Sequence, residues 1–203
     1  MTLKIVGAMA MGAICGHFFV DPAYLPYFES AADWGLRLLI FTVGLDLGSN
    51  ENLGRQVKTL PKTALAIPFL IAVGSIIGAV GVNLILDSHP LEAAAVGGGF
   101  GWYSLSAVLI AQTYDVTLGA LAFLTNIFRE VLAITSIPWI AAKLGHLPAI
   151  APGGATAMDV TLPIISQSTD QQTTLVAFYS GTVLTLMVPV LVPFLLKLAR
   201  LFT

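Results

Sequence analysis

Long apolar runs separated by short polar stretches set the layout of this chain. A helix needs about 20 consecutive apolar residues to cross the hydrocarbon core of a bilayer. Runs of that kind lie at Leu3–Val20, Ala32–Gly48, Thr63–Leu86, Thr117–Ala142 and Thr174–Leu198. Two further stretches, Leu91–Ala111 and Ala149–Ser166, are also apolar but rich in Gly, Pro, Ser and Thr. They predict broken helices or re-entrant hairpins, and the pattern leaves open whether they cross. The expected fold is all-α: a polytopic transmembrane helical bundle, one membrane domain over residues 1–203, with two interrupted Gly-rich segments.

Composition and charge sharpen this picture. With 57% hydrophobic and 10% charged residues, and a mean hydropathy of +0.89, the chain lies outside the range of ordinary soluble domains. The net charge of −2 and the lack of any basic run give no sign of a nucleic-acid partner. Arg55, Lys58 and Lys62 make Ser49–Lys62 the best basic cluster, cytoplasmic by the positive-inside rule. The acidic loop Asp21–Asp33 is then external and Met1 internal. Lys197 and Arg200 favour a cytoplasmic C-terminus, which needs an even number of crossings, so its side stays open. Ala13-Ile14-Cys15-Gly16-His17 is a poor cleavage site, so the first run reads as a retained helix. Cys15 has no internal disulfide partner and reads as a packed or lipid-facing thiol.

A shift of 55 residues lays Gly98-Gly99-Phe100-Gly101-Trp102-Tyr103-Ser104-Leu105-Ser106 onto the stretch from Gly153 to Thr161. Gly98 then meets Gly153, Gly99 meets Gly154, Ser104 meets Asp159, and Ser106 meets Thr161. Each copy follows a long apolar run. Paired interrupted segments in corresponding halves are the best sequence pointer to a transporter's binding site. If both segments are re-entrant the two units are inverted; if both cross, they are parallel. Glycines free carbonyls and amides from the helical ladder, and Ser104, Ser106 and Thr161 can cap half-helices or present hydroxyl oxygens.

Asp159 is the most telling residue, a carboxylate among glycines and prolines between bilayer-grade segments. A charge at that depth costs roughly 2.5–3.5 kcal/mol on insertion scales, so it faces a cavity, a partner or a transported ion. The run Thr117–Ala142 adds Asn126, Arg129 and Glu130. Asn126 and Glu130 share a helix face, and Arg129 points about 100° away from Glu130. Glu130 is expected on a pathway or carrying protons, and Asn126 beside it or in an interhelical hydrogen bond. Arg129 is expected to pair with a carboxylate and lock two helices. Trp102 and Tyr103 either wall a site, stacking on a cation, or serve as packing and interfacial anchors. Asp46 reads as an interface residue, and Asp33 with Arg37 as a surface pair. His17, His89 and His146 lack metal-ligand spacing, and no metal or cofactor is expected. There is no catalytic triad, phosphate loop or Cys cluster, and no second acid in a Gly-x-Gly-Asp setting for intramembrane hydrolysis, so no enzyme is expected.

Taken in order, Gly99 to Ser106, then Asn126 with Arg129-Glu130, then Gly153 to Pro163, resemble the LysO-type lysine exporter family. Looser similarity runs from the first helix to the end and includes Leu39 to Gly48. The resemblance implies a secondary transporter of the cytoplasmic membrane that exports L-lysine, and close basic analogues, in exchange for protons. Asp159 would bind either the proton or the substrate's ammonium. Ser104, Ser106 and Thr161 would supply neutral oxygens, and Glu130 a second acid or relay. Longer members carry additional hydrophobic segments before the region matched by Leu3. This chain therefore resembles the larger part of a split exporter, with a small companion membrane subunit or a second copy of itself as the expected partner.

Overall fold

The computed structural model describes residues 2–48, 62–86 and 89–202. Arg55 and Lys58 of the basic stretch lie outside the described residues, as do the side chains of Lys62, His17, Asp33 and Asp46. The described residues are helical and without strands, as the apolar pattern predicts. The full-length helices are α1 (Thr2–Phe19), α2 (Leu25–Gly48) and α3 (Lys62–Leu86). The first interrupted segment follows as α4 (Pro90–Gly97) and α5 (Tyr103–Thr113). Then come α6 (Val116–Leu144), the second interrupted segment with α7 (Leu162–Ser168), and α8 (Gln171–Phe202). Among the described residues α3, α6 and α8 are long and apolar enough to cross a membrane. The stretch Asp21–Asp33, expected as a loop, is instead a 3₁₀ turn at Pro22–Tyr24 running into the start of α2. Pro26 sits in the first turn of α2, where its missing N–H costs nothing.

Local chemistry sets the ends. Asp115 caps α6 by accepting the Leu118 N–H at 2.7 Å. Gly145, with φ of 99°, stops it. Asp170 accepts the Thr173 N–H at 2.7 Å in the first turn of α8. Along α8, Ala177, Leu184, Val188, Val192, Leu196 and Ala199 are buried at helical spacing. Phe178, Leu186, Val190 and Phe194 are exposed on the other side, so the helix is apolar all round, as suits a bilayer. α8 forms the central column, packing against α3, α4, α5, α7 and the second break.

In each interrupted segment the two ends are tied together. The Tyr114 hydroxyl donates to Glu92 Oε1 at 2.6 Å, tying the end of α5 to the start of α4. Arg200, near the end of α8, stacks over the Tyr114 ring at 5.6 Å and donates to the Thr113 carbonyl. In the second segment, His146 Nδ1 lies 2.5 Å from Asp170 Oδ2, joining its entry to its exit. The start of α3 reaches this second end, where Tyr179 donates to the Leu65 carbonyl at 3.4 Å. Between the two ties runs α6, 29 residues long, or roughly 43 Å at 1.5 Å per residue. The two ties thus lie at opposite ends of α6. The segments meet at their breaks, where the Ala155 N–H donates to the Phe100 carbonyl at 2.9 Å.

The breaks differ in build. The first turns through Phe100 (φ 50°) and Gly101 (φ 95°) between two α-helices. The second is tighter, with 3₁₀ turns at Leu147–Ile150 and Gly154–Met158 before α7, and Pro148 and Pro163 each in the first turn of its element. Its left-handed residue is Gly154 (φ 58°), where a Cβ would lie 2.4 Å from the Phe100 carbonyl oxygen.

Two predictions follow from the ties. In a Cys15→Ser background, paired substitutions His146→Cys with Asp170→Cys, and Glu92→Cys with Tyr114→Cys, should each crosslink intramolecularly with a short bis-maleimide; a mobility shift on denaturing gels reads the outcome. The second concerns pH. Burial pushes the Asp170 carboxyl up, but hydrogen bonds from His146 and Thr173 outweigh it and hold it below the usual carboxylate range. A depressed carboxyl stabilises the fold above its unfolded value and loses that contribution as pH falls through the depressed one. Asp170→Asn keeps the cap but not the charge. At neutral pH it should destabilise by at most about 1 kcal/mol, since the pair is exposed, and thermal melts of parent and variant should converge below the carboxylate range.

Candidate functional site

The meeting of two breaks leaves backbone groups without helical partners, and α6 reaches them with polar side chains. Asn126 is buried. Its Oδ1 accepts the Gly101 N–H at 2.7 Å, while Nδ2 donates to Val96 O at 3.3 Å and Ala122 O at 2.9 Å. Its amide therefore braces the first break and its donors are engaged within the protein. One turn on, Arg129 braces the second break. Nε donates to Pro152 O at 3.2 Å, Nη2 to Ala151 O at 3.3 Å and Nη1 to Ser75 Oγ at 3.0 Å. The carboxylate partner expected for Arg129 is thus replaced, among the described residues, by two carbonyls and a hydroxyl. The physical reason is that the second break frees carbonyls at this depth, and a guanidinium fork satisfies several at once.

Both grips require close approach. A Cβ on Gly99 would lie 2.7 Å from Asn126 Nδ2, and one on Gly154 would lie 2.8 Å from Arg129 Nη2. Gly99 and Gly154 are the pair that the 55-residue shift superimposes, so the matched glycines make room for matched braces. Gly98 ends α4 in helical conformation, and Gly153 packs against the Thr161 hydroxyl.

On the neighbouring face of α6, Glu130 is partly buried, and its Oε2 has no hydrogen-bond partner among the described residues. Asp159 follows the second break, also partly buried, and its Oδ1 accepts the Val160 N–H at 2.6 Å. The charge of Asp159 acts on Glu130, and both acids act on the Tyr103 hydroxyl. Tyr103, at the start of α5, also packs edge-on against Phe123 at 5.5 Å. Two carboxylates and a phenol from three elements therefore share one neighbourhood beside the crossing.

The hydroxyls are placed differently from one another. Ser106 is buried and donates to the Trp102 carbonyl at 2.8 Å, closing the first turn of α5. Thr161 is buried against Thr156 Oγ1 at 3.4 Å, and Thr156 donates to Gly153 O at 2.9 Å. Ser104 is exposed on α5. Trp102 packs against the hydrophobic core. Sequence reading missed Ser75, which lies 54 residues from its partner Arg129 and offers no local signal. It also missed Thr156, inside the quoted motif, and Ser180, whose buried Oγ has no partner among the described residues.

The chain also has relatives among known proteins. Residues 6–196 match the family model described as lysine exporter LysO. The chain is 32% identical over 193 residues to the lysine exporter LysO of Escherichia coli (strain K12), covering 95% of this chain and 63% of that protein. It is 32% identical over 191 residues to a putative lysine exporter of Haemophilus influenzae, covering 94% of this chain and 96% of that one. It thus spans less than two thirds of the first relative and nearly all of the second. No solved structure matches the chain. A family match running through almost every helix described above places the chain in the LysO lysine exporter family.

Proposed function

We propose that this protein exports L-lysine and close basic analogues across the cytoplasmic membrane in exchange for protons. The observation that carries this reading is the pair of carboxylates, Glu130 and Asp159, the first acted on by the charge of the second beside two touching backbone breaks, with Glu130 Oε2 unpartnered among the described residues. Groups of this kind at membrane depth mark ion paths and proton relays. Lysine leaves as a cation against an inside-negative potential, at about 2.3 kcal/mol per charge per 100 mV. An incoming proton cancels that charge. A proton and a substrate ammonium compete for the same carboxylate oxygens, and this competition couples the two flows. A small companion subunit or a second copy is part of the proposal, and co-expression efflux assays decide it.

The two hairpins enter the membrane from opposite faces in this reading. With Met1 and residues 49–61 cytoplasmic, the Glu92–Tyr114 tie is external and the His146–Asp170 tie internal. α1, α2, α3, α6 and α8 then cross, an odd number, and the C-terminus is external. Arg200, engaged by Thr113 and Tyr114, does not weigh against this.

Two measurements test the proposal. In vesicles loaded with labelled lysine, Asp159→Asn and Glu130→Gln should each lower exchange by about 10–100-fold, the size of a lost charge-assisted contact. Confirmed membrane insertion with parental exchange rates would remove the acids from the mechanism. In a Cys15→Ser background, a membrane-impermeant thiol reagent should label Glu92→Cys from outside intact cells and His146→Cys only after permeabilisation. Labelling of both from the same side would rule out the opposed hairpins.

A further inference from the structure

We propose that a cavity on the Arg129 side of α6 receives the carboxylate of the amino-acid substrate, an inference that rests on the export reading above. The cavity holds about 330 Å³ between α3, α4 and α6. Its polar lining is Ser75, Asn83, Thr125, Asn126 and Arg129, and among the described lining residues Arg129 alone is charged. The size lies within the range of small-molecule sites. A guanidinium carries five N–H donors in a planar fork that matches a carboxylate. Three of them go to Ala151 O, Pro152 O and Ser75 Oγ among the described residues. One N–H remains on each terminal nitrogen for a ligand.

The arrangement of charges supports the assignment. Glu130 and Asp159 do not line this cavity, so the cationic and anionic parts of the site are set on different sides of α6. At neutral pH lysine carries two ammonium groups and one carboxylate. The site offers two carboxylates and one guanidinium, the mirror image of that set. A diamine without the carboxylate leaves Arg129 without a counter-charge, and a site built for a charged group rejects an analogue that lacks it.

The test is exchange in vesicles of neutral phosphatidylcholine, where no anionic headgroup is present to fill the cavity. Internal labelled lysine is chased with external lysine, lysinamide or cadaverine. Lysine should drive exchange, and the two analogues lacking the carboxylate should be at least roughly 100-fold less effective. Arg129→Gln should shrink that discrimination to within a few fold. Gly78 lines the cavity and has nothing within 4 Å of a Cβ added there. Gly78→Leu should therefore raise the KM for lysine more than it lowers the maximal rate, without disturbing the Arg129 grip. Equal exchange with cadaverine, or an unchanged KM in Gly78→Leu, overturns the carboxylate seat and leaves lysine export standing. No exchange with lysine at all overturns the export reading and this one with it. Should Arg129→Gln fail to insert, the analogue series and Gly78→Leu still decide.

Discussion

Backbone groups released from a helix inside hydrocarbon must find partners, and in this fold a single helix reaches both breaks to supply some of them. Each unsatisfied N–H or C=O at membrane depth costs several kcal/mol. Two breaks at the centre of the bundle are sustained because Asn126 and Arg129, on adjoining turns of α6, reach one break each. The breaks also satisfy one another, through the Ala155 N–H and the Phe100 carbonyl. Removing α6 from its place would strand both. The position of this helix is therefore fixed by hydrogen bonding as much as by apolar packing, which in lipid gives little preference for one neighbour over another.

Fixing α6 in this way also sets the acids. Glu130 is the next residue after Arg129, so the backbone geometry that presents the guanidinium to the second break turns Glu130 toward Asp159, which lies just beyond that break. The glycines belong to the same argument. Gly99 and Gly154 are where the α6 side chains pass against the hairpin backbone, and a methyl group at either would occupy space held by a polar nitrogen. Structural support and candidate chemistry thus occupy one turn of one helix. A rigid-body movement of α6 would be felt at both breaks at once.

Much of this was legible in the sequence because bilayer physics leaves so few options. The long spans, the two interrupted stretches and the acids at depth all followed from apolar run length and from the cost of charge in hydrocarbon. The matched Gly99 and Gly154 showed through the 55-residue shift, since close approach tolerates no other residue. What stayed hidden depends on contacts distant in sequence. Nothing near Arg129 signals that its partners are carbonyls at 151 and 152 and a hydroxyl at position 75. The Glu92–Tyr114 and His146–Asp170 ties join residues with no shared pattern, so hairpin or crossing was undecidable from run length alone. The 3₁₀ turns of the second break were missed because prolines and glycines announce an interruption without specifying its geometry.

The identity of the Arg129 partners matters for any exchange mechanism. An arginine paired with Glu130 or Asp159 would occupy the oxygens of one acid and leave a single carboxylate free to hold a cation. Neutral carbonyls and a hydroxyl hold the guanidinium by hydrogen bonds without cancelling its charge. Two charged acids and one base leave a deficit of one positive charge, which under the proposed mechanism a single proton or a single net cationic substrate makes good. In the exchange proposed above, filling the deficit with either excludes the other. The freed carbonyls of the second break therefore do two things: they anchor the helix that bears the acids, and they keep its arginine from silencing them.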